Sequence, residues 1–140
     1  MRVLLQNRLD TAIDFGYILP DHHPVFGESK TWRGFIGAII VTAIVAMVLG
    51  YGVNTGALIA IYALLGDLFS SFIKRRFGMA PSTMAPLLDQ VPESLLPALM
   101  MMERFDLDMQ SIIILVCLFI VLELLLSYIF FRLGIRKRPY

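Results

Sequence analysis

From Ile112 to Phe131 the chain is apolar apart from Glu123 and the pair Ser127-Tyr128. Read as a helix rising 1.5 Å per residue, that run crosses the roughly 30 Å hydrocarbon layer of a bilayer. Phe35 to Val53 is a second such run, and Ala57 to Ile73 follows it across the short turn Gly50-Tyr-Gly-Val-Asn-Thr-Gly56. Lipid offers no partners to a bare backbone, so segments of this kind must be helical, and the fold class is all-α, a polytopic transmembrane helix bundle. The overall balance agrees: 58% of residues are hydrophobic and 16% charged, with a mean hydropathy of +0.76. A chain of 140 residues is expected to be one integral-membrane domain, 1–140, without room for a separate soluble module. Any active site must therefore be built from helix ends and the loops between them.

Residues 1–34 lack a continuous apolar core and are broken by Gly16, Pro20, Pro24 and Gly27, so they read as a cytoplasmic or interfacial segment. The first two runs form a hairpin. Lys30 and Arg33 then emerge at the same end as Lys74, Arg75, Arg76 and Asp89, and that concentration of positive charge makes this end cytoplasmic. For Arg132, Arg136, Lys137 and Arg138 to join them, a further segment at about 90–102 must also cross. The expectation is four membrane helices, 35–53, 57–73, about 90–102 and 112–131, with a proline-rich catalytic loop at 74–90. Cys117 has no partner for an internal disulfide and reads as a buried structural thiol.

One helical face of the second run carries the chemistry. Asp67, Ser70, Ser71 and Lys74 recur at i, i+3, i+4 and i+7, and the same stripe continues backwards through Ala63, Ala60 and Gly56. Small residues of that kind let a neighbouring helix approach closely, so the stripe should be buried in protein and not face lipid. A carboxylate at membrane depth is costly, by about 2.5–3.5 kcal/mol on insertion scales, and Asp67 needs a partner. A metal ion and Lys74 are both candidates.

Upstream, Gly27-Glu-Ser-Lys-Thr-Trp-Arg-Gly34 opens directly onto the first apolar run. Ser29 or Thr31 can cap that helix, and its free N–H groups together with Lys30 and Arg33 would attract a phosphate. Interfacial anchoring by the same cations, with Trp32 in the aromatic belt, fits equally well. Asp89, Gln90, Glu93 and Ser94 suit turn and helix-start positions as well as a site. Adjacent His22 and His23 lack further ligands at the spacing metal sites need. Glu123 sits mid-span, where hydrogen bonding within the bundle is the simplest role. The chain has no P-loop, no GxGxxG and no repeat, and the basic groups are explained by topology, which leaves nucleic-acid binding unsupported.

Three blocks in order, GESKTWRG at 27–34, GDLFSSFIKRR at 66–76 and APLLDQ at 85–90, with the ending LGIRKRPY, resemble the CDP-archaeol synthase family. They are also distantly similar to phosphatidate cytidylyltransferases. The resemblance implies transfer of CMP from CTP to a membrane lipid phosphate resembling 2,3-bis-O-geranylgeranylglycerol 1-phosphate, with release of pyrophosphate. It implies a multi-pass protein of the plasma membrane with a cytoplasmic active site, and it leaves homo-oligomer formation open. Its motifs assign Asp67 and Asp89 to Mg²⁺ and Lys30, Asp67, Lys74 and Asp89 to catalysis. Thr31, Arg33, Ser70, Ser71, Arg75, Arg76 and Gln90 would bind substrate, with Glu93 as an outer supporting acid. Family members usually have five spans, one of them before the KTWRG loop. This chain opens within that loop, so four spans are expected and the first is expected to be missing. The alternatives are CDP-diacylglycerol synthesis from phosphatidate, a non-catalytic relative, and an ion-coupled transporter using Asp67 and Glu123.

Overall fold

A computed structural model describes residues 11–80, 85 and 87–134. Four helices follow one another among them: α1 (Trp32–Val48), α2 (Val53–Arg76), α3 (Gln90–Met100) and α4 (Met109–Arg132). Arg136, Lys137, Arg138 and residues 81–84 and 86 of the proline-rich loop lie outside the described residues.

Helix ends differ from the sequence expectation for identifiable reasons. Thr31 is extended and its hydroxyl accepts the backbone N–H of Gly34, so α1 starts ahead of Phe35. It closes early, where Tyr51 N–H folds back on the Ala46 carbonyl at 2.9 Å. Asn54, Thr55 and Gly56, expected in the turn, are the first turn of α2. At its other end α2 runs on through Lys74, Arg75 and Arg76, whose charges favour the C-terminal end of the helix dipole. Asp108 caps α4 by accepting from Ser111 N–H at 3.0 Å. That bond, to both the backbone and the side chain of Ser111, holds its carboxyl below the usual range.

Helices α2 and α4, of 24 residues each, are long and apolar enough to cross a membrane. Helix α3, with 11 residues, spans only about 16 Å by itself. Beyond α3 the chain continues in a turn, and Phe105 there meets Tyr51 of the α1–α2 turn edge-to-face, with ring centroids 5.4 Å apart. The molecule thus has a charged end, where α1 and α3 begin and α2 finishes, and an aromatic far end.

α2 is central, packed against α1 on one side and α3 on the other, and α4 lies on α3. The buried apolar residues among those described are mostly small, Ala43, Ala46, Ala60 and Ala98 with Met101 and Ile112. Two glycines show how close the backbones come. A Cβ on Gly56 would lie 2.6 Å from both Ala46 Cβ and the Thr42 carbonyl, and one on Gly66 would lie 2.1 Å from the carbonyl oxygen of Pro92. Large apolar side chains point outward instead, as lipid-facing helices require. Cys117 is among the exposed residues of α4, contrary to the buried thiol expected. An apolar run cannot distinguish core from lipid, because both accept the same side chains.

Candidate functional site

The N-terminal segment is a compact loop folded on one carboxylate. Asp14 accepts backbone N–H groups from Gly16 at 3.0 Å and from Phe26 and Gly27 at 2.9 Å each. Burial pushes its pKa upward, but these N–H donors outweigh that and hold the carboxyl below its ordinary value. Ile13 N–H donates to the Lys30 carbonyl at 2.8 Å and Trp32 N–H to that of Thr11 at 3.2 Å, which fixes Lys30 at the start of α1.

From there Lys30 Nζ reaches across to Asp67 Oδ2 on α2. Two turns further along the same face, Lys74 Nζ lies 3.0 Å from Asp89 Oδ2 and 2.8 Å from Oδ1, just before α3. The nearer oxygen, Asp89 Oδ1, is buried without a hydrogen bond among the described residues, while Oδ2 also accepts Ala85 N–H at 3.1 Å. Ser70 and Ser71 are buried between these pairs, with Ser70 Oγ bonded to the Gly66 carbonyl at 3.0 Å. The predicted stripe is therefore real, and it faces protein as expected. Glu93, one turn into α3, interacts electrostatically with Asp67, Glu123, Lys30 and Asp89.

The remaining predicted residues occupy different surroundings. Arg75 is buried and donates to the Ala80 carbonyl at 3.0 Å; its Nε and Nη1 have no hydrogen-bond partner among the described residues. Arg76 is engaged by the N-terminal loop, pairing with Asp21, donating to the Pro24 carbonyl at 2.6 Å and lying over the Phe72 ring. Gln90 is buried, with Oε1 accepting Leu87 N–H at 3.3 Å. Arg33 is exposed on the first turn of α1, and Thr31 acts as the helix cap. His22 and His23 sit in a turn of the loop, with Arg76 on the His23 carbonyl at 3.4 Å.

Two cavities adjoin these residues. One of about 220 Å³ is lined by Ser29, Lys30, Thr31 and Asp67 with apolar neighbours, and it opens between the loop and α2. The other, about 450 Å³, is an apolar groove between α2 and α3 lined by Leu65, Phe69, Val91 and Leu95 among others.

Residues 47–140 match the family described as CarS-like, CDP-archaeol synthase. The chain belongs to the CDP-archaeol synthase family. The CDP-archaeol synthase of Sulfolobus acidocaldarius is 32% identical over 137 residues, covering 93% of this chain and 83% of the relative. That of Pyrococcus furiosus is 40% identical over 90 residues, 57% of this chain and 54% of the relative. Against this and the Staphylothermus marinus and Pyrococcus horikoshii relatives, the chain spans about half of their length. A solved structure described as an intramembrane enzyme for archaeal membrane lipids biosynthesis superposes with a TM-score of 0.69 at 27% identity, covering 83% of this chain and 78% of that one.

In this member of the family, the four residues expected to carry catalysis, Lys30, Asp67, Lys74 and Asp89, are brought to one face of α2 from three separate segments. The expected Mg²⁺ ligands each close on an ammonium group. No group of three or more His, Cys, Asp or Glu suited to a metal exists among the described residues. Mg²⁺ commonly takes one or two carboxylates and completes its shell with phosphate oxygens and waters, so an ion of that kind would need oxygens beyond those of Asp67 and Asp89. Sequence reasoning missed Asp14 and Asp21. Asp14-Phe-Gly16 carries a usable signal, an acceptor two residues before a glycine, which marks a side-chain-closed turn.

Proposed function

We propose that this chain transfers CMP from CTP to a membrane lipid phosphate, yielding a CDP-lipid and pyrophosphate, with a doubly prenylated glycerol phosphate ether as the acceptor. The observation that carries the reading is the pair of lysine–aspartate contacts on one face of α2, at the charged end and beside an apolar groove. A water-borne triphosphate and a lipid can meet only at headgroup level, because each buried CH₂ holds the lipid in the bilayer by about 0.8 kcal/mol and the charged nucleotide cannot enter.

The reacting groups are both anions, so their approach must be screened. A lipid phosphate oxygen attacks the α-phosphorus of CTP in line with the departing pyrophosphate, and no side-chain nucleophile is needed. Lys30 and Arg33, at the start of α1, suit the triphosphate, whose negative charge the helix N-terminus also favours. Lys74 and Arg75 suit the lipid or nucleotide phosphates, with Ser70 and Ser71 supporting them. Asp67 and Asp89 would hold Mg²⁺, which when bound supplies charge neutralisation and orients phosphate oxygens. Arg76 fastens the loop that presents Lys30. Positive charge at this end favours a cytoplasmic site in the plasma membrane.

The test is direct. Purified protein given CTP, Mg²⁺ and a geranylgeranyl diether phosphate should release pyrophosphate and form CDP-lipid, faster than with diacyl phosphatidate. Absence of CDP-lipid from both acceptors overturns the reading, as does ion flux into liposomes without CTP consumption.

A further inference from the structure

The two lysine–aspartate pairs at the charged end are each neutral as they stand. Lys30 offsets Asp67 and Lys74 offsets Asp89, each pair reaching between different segments of the chain. Both pairs are shielded: side-chain exposure is 23% and 26% in the first, 9% and 19% in the second. Around them, Arg75 lies within electrostatic reach of Asp89, and Glu93 within reach of Asp67 and Lys30.

This arrangement restricts what can bind. A divalent cation arriving alone must displace a lysine from its carboxylate and leave two half-buried ammonium groups facing added positive charge. A triphosphate arriving alone draws the lysines away and leaves two carboxylates facing a polyanion. Either way a shielded charge loses its partner, which is far more costly than losing one in water. When both arrive, the partners exchange: ammonium groups turn to phosphate oxygens and the carboxylates turn to the cation, with every charge still matched.

We infer that Lys30 and Lys74 are counter-ion placeholders that make cation and polyphosphate binding conditional on each other, so that the ligand of this site is the metal–nucleotide complex and neither component alone. The inference rests on the nucleotidyl-transfer reading and adds a selection rule to it. The coupling is reciprocal, as any equilibrium linkage must be.

The experiment measures binding without turnover, on the full chain in nanodiscs with no lipid acceptor present. Mn²⁺ alone is titrated by electron paramagnetic resonance, and CTP in excess chelator by calorimetry. Each should bind the unaltered protein at least about tenfold more weakly than it does with the other present, within the usual range of linkage between sites. Lys30→Met and Lys74→Met should each tighten Mn²⁺ alone by on the order of tenfold while weakening CTP. Lys30→Arg, which keeps the charge, should leave Mn²⁺ binding as it was. Unaltered protein that binds Mn²⁺ alone as tightly as the methionine variants, or CTP in chelator as tightly as with Mn²⁺, overturns the inference even if it makes CDP-lipid. Protein that neither binds CTP under any condition nor makes CDP-lipid overturns the functional reading along with it.

Discussion

Helices α2 and α4 have the same length, 24 residues, and both are apolar enough to cross a membrane, yet they are used in opposite ways. α2 buries glycine, alanine, serine, lysine and arginine against its neighbours; α4 buries only Ile112 and Ser127 and turns its large apolar side chains outward. In water the first pattern would be a surface and the second a core. In lipid the order reverses, because greasy side chains lose nothing by facing acyl chains, whereas polar ones need protein partners. Length and hydropathy identify the spans, and it is the small and polar stripe that marks which span carries a site.

The sharpest way to break that contrast is to remove one acid from each helix. Asp67→Asn on α2, and Asp89→Asn beside it, are expected to lower kcat/KM for CDP-lipid formation by on the order of 10²–10³-fold, the size of losing a charge-stabilising group. Glu123→Gln on α4 is expected to stay within about tenfold. If Glu123 proves the more sensitive, the division of labour between the helices is wrong.

A smaller effect tests packing. Gly66→Ala places a methyl group on the Pro92 carbonyl and is expected to destabilise the bundle by about 1–3 kcal/mol, read from unfolding in detergent. Leu122→Ala, at a position 50% exposed on α4, should remain within about 0.5 kcal/mol.

The smallest effect sharpens the role of the loop that feeds α2 its lysine. Because the folded pKa of Asp14 is depressed, its contribution is fully present above the unfolded value near 4 and is lost as pH falls through the lower folded value. The loop should thus be constant through neutral pH and loosen only in strong acid. Asp14→Asn is expected to cost about 1 kcal/mol and to abolish that acid dependence, measured by hydrogen exchange of the Phe26 and Gly27 amides.

Much of this was legible in the amino-acid order. The apolar runs locate the helices, and the Asp67-Ser70-Ser71-Lys74 spacing identifies the buried face of α2 together with the glycine and alanines that admit its neighbours. Local signals are weaker at the ends, where a cap at Thr31 and three cations at the end of α2 shift the boundaries by several residues. Long-range partners are harder still. The stripe names Lys74 as the neighbour of Asp67, but the lysine that closes on Asp67 comes from 37 residues earlier, positioned by a turn whose organising carboxylate, Asp14, belongs to no periodic pattern. The loop contacts of Arg76 were hidden for the same reason, since its partners Asp21 and Pro24 lie in that loop.

The bare contact between Gly66 and Pro92 limits how this protein can move. With no side chain between the two backbones, the crossing acts as a fulcrum one residue from Asp67 and three from Asp89. Any tilting of α3 about that point barely displaces its acidic end but sweeps the opposite end, near Phe105, through a wide arc. Breathing can then occur at the aromatic end while the charged end keeps its register.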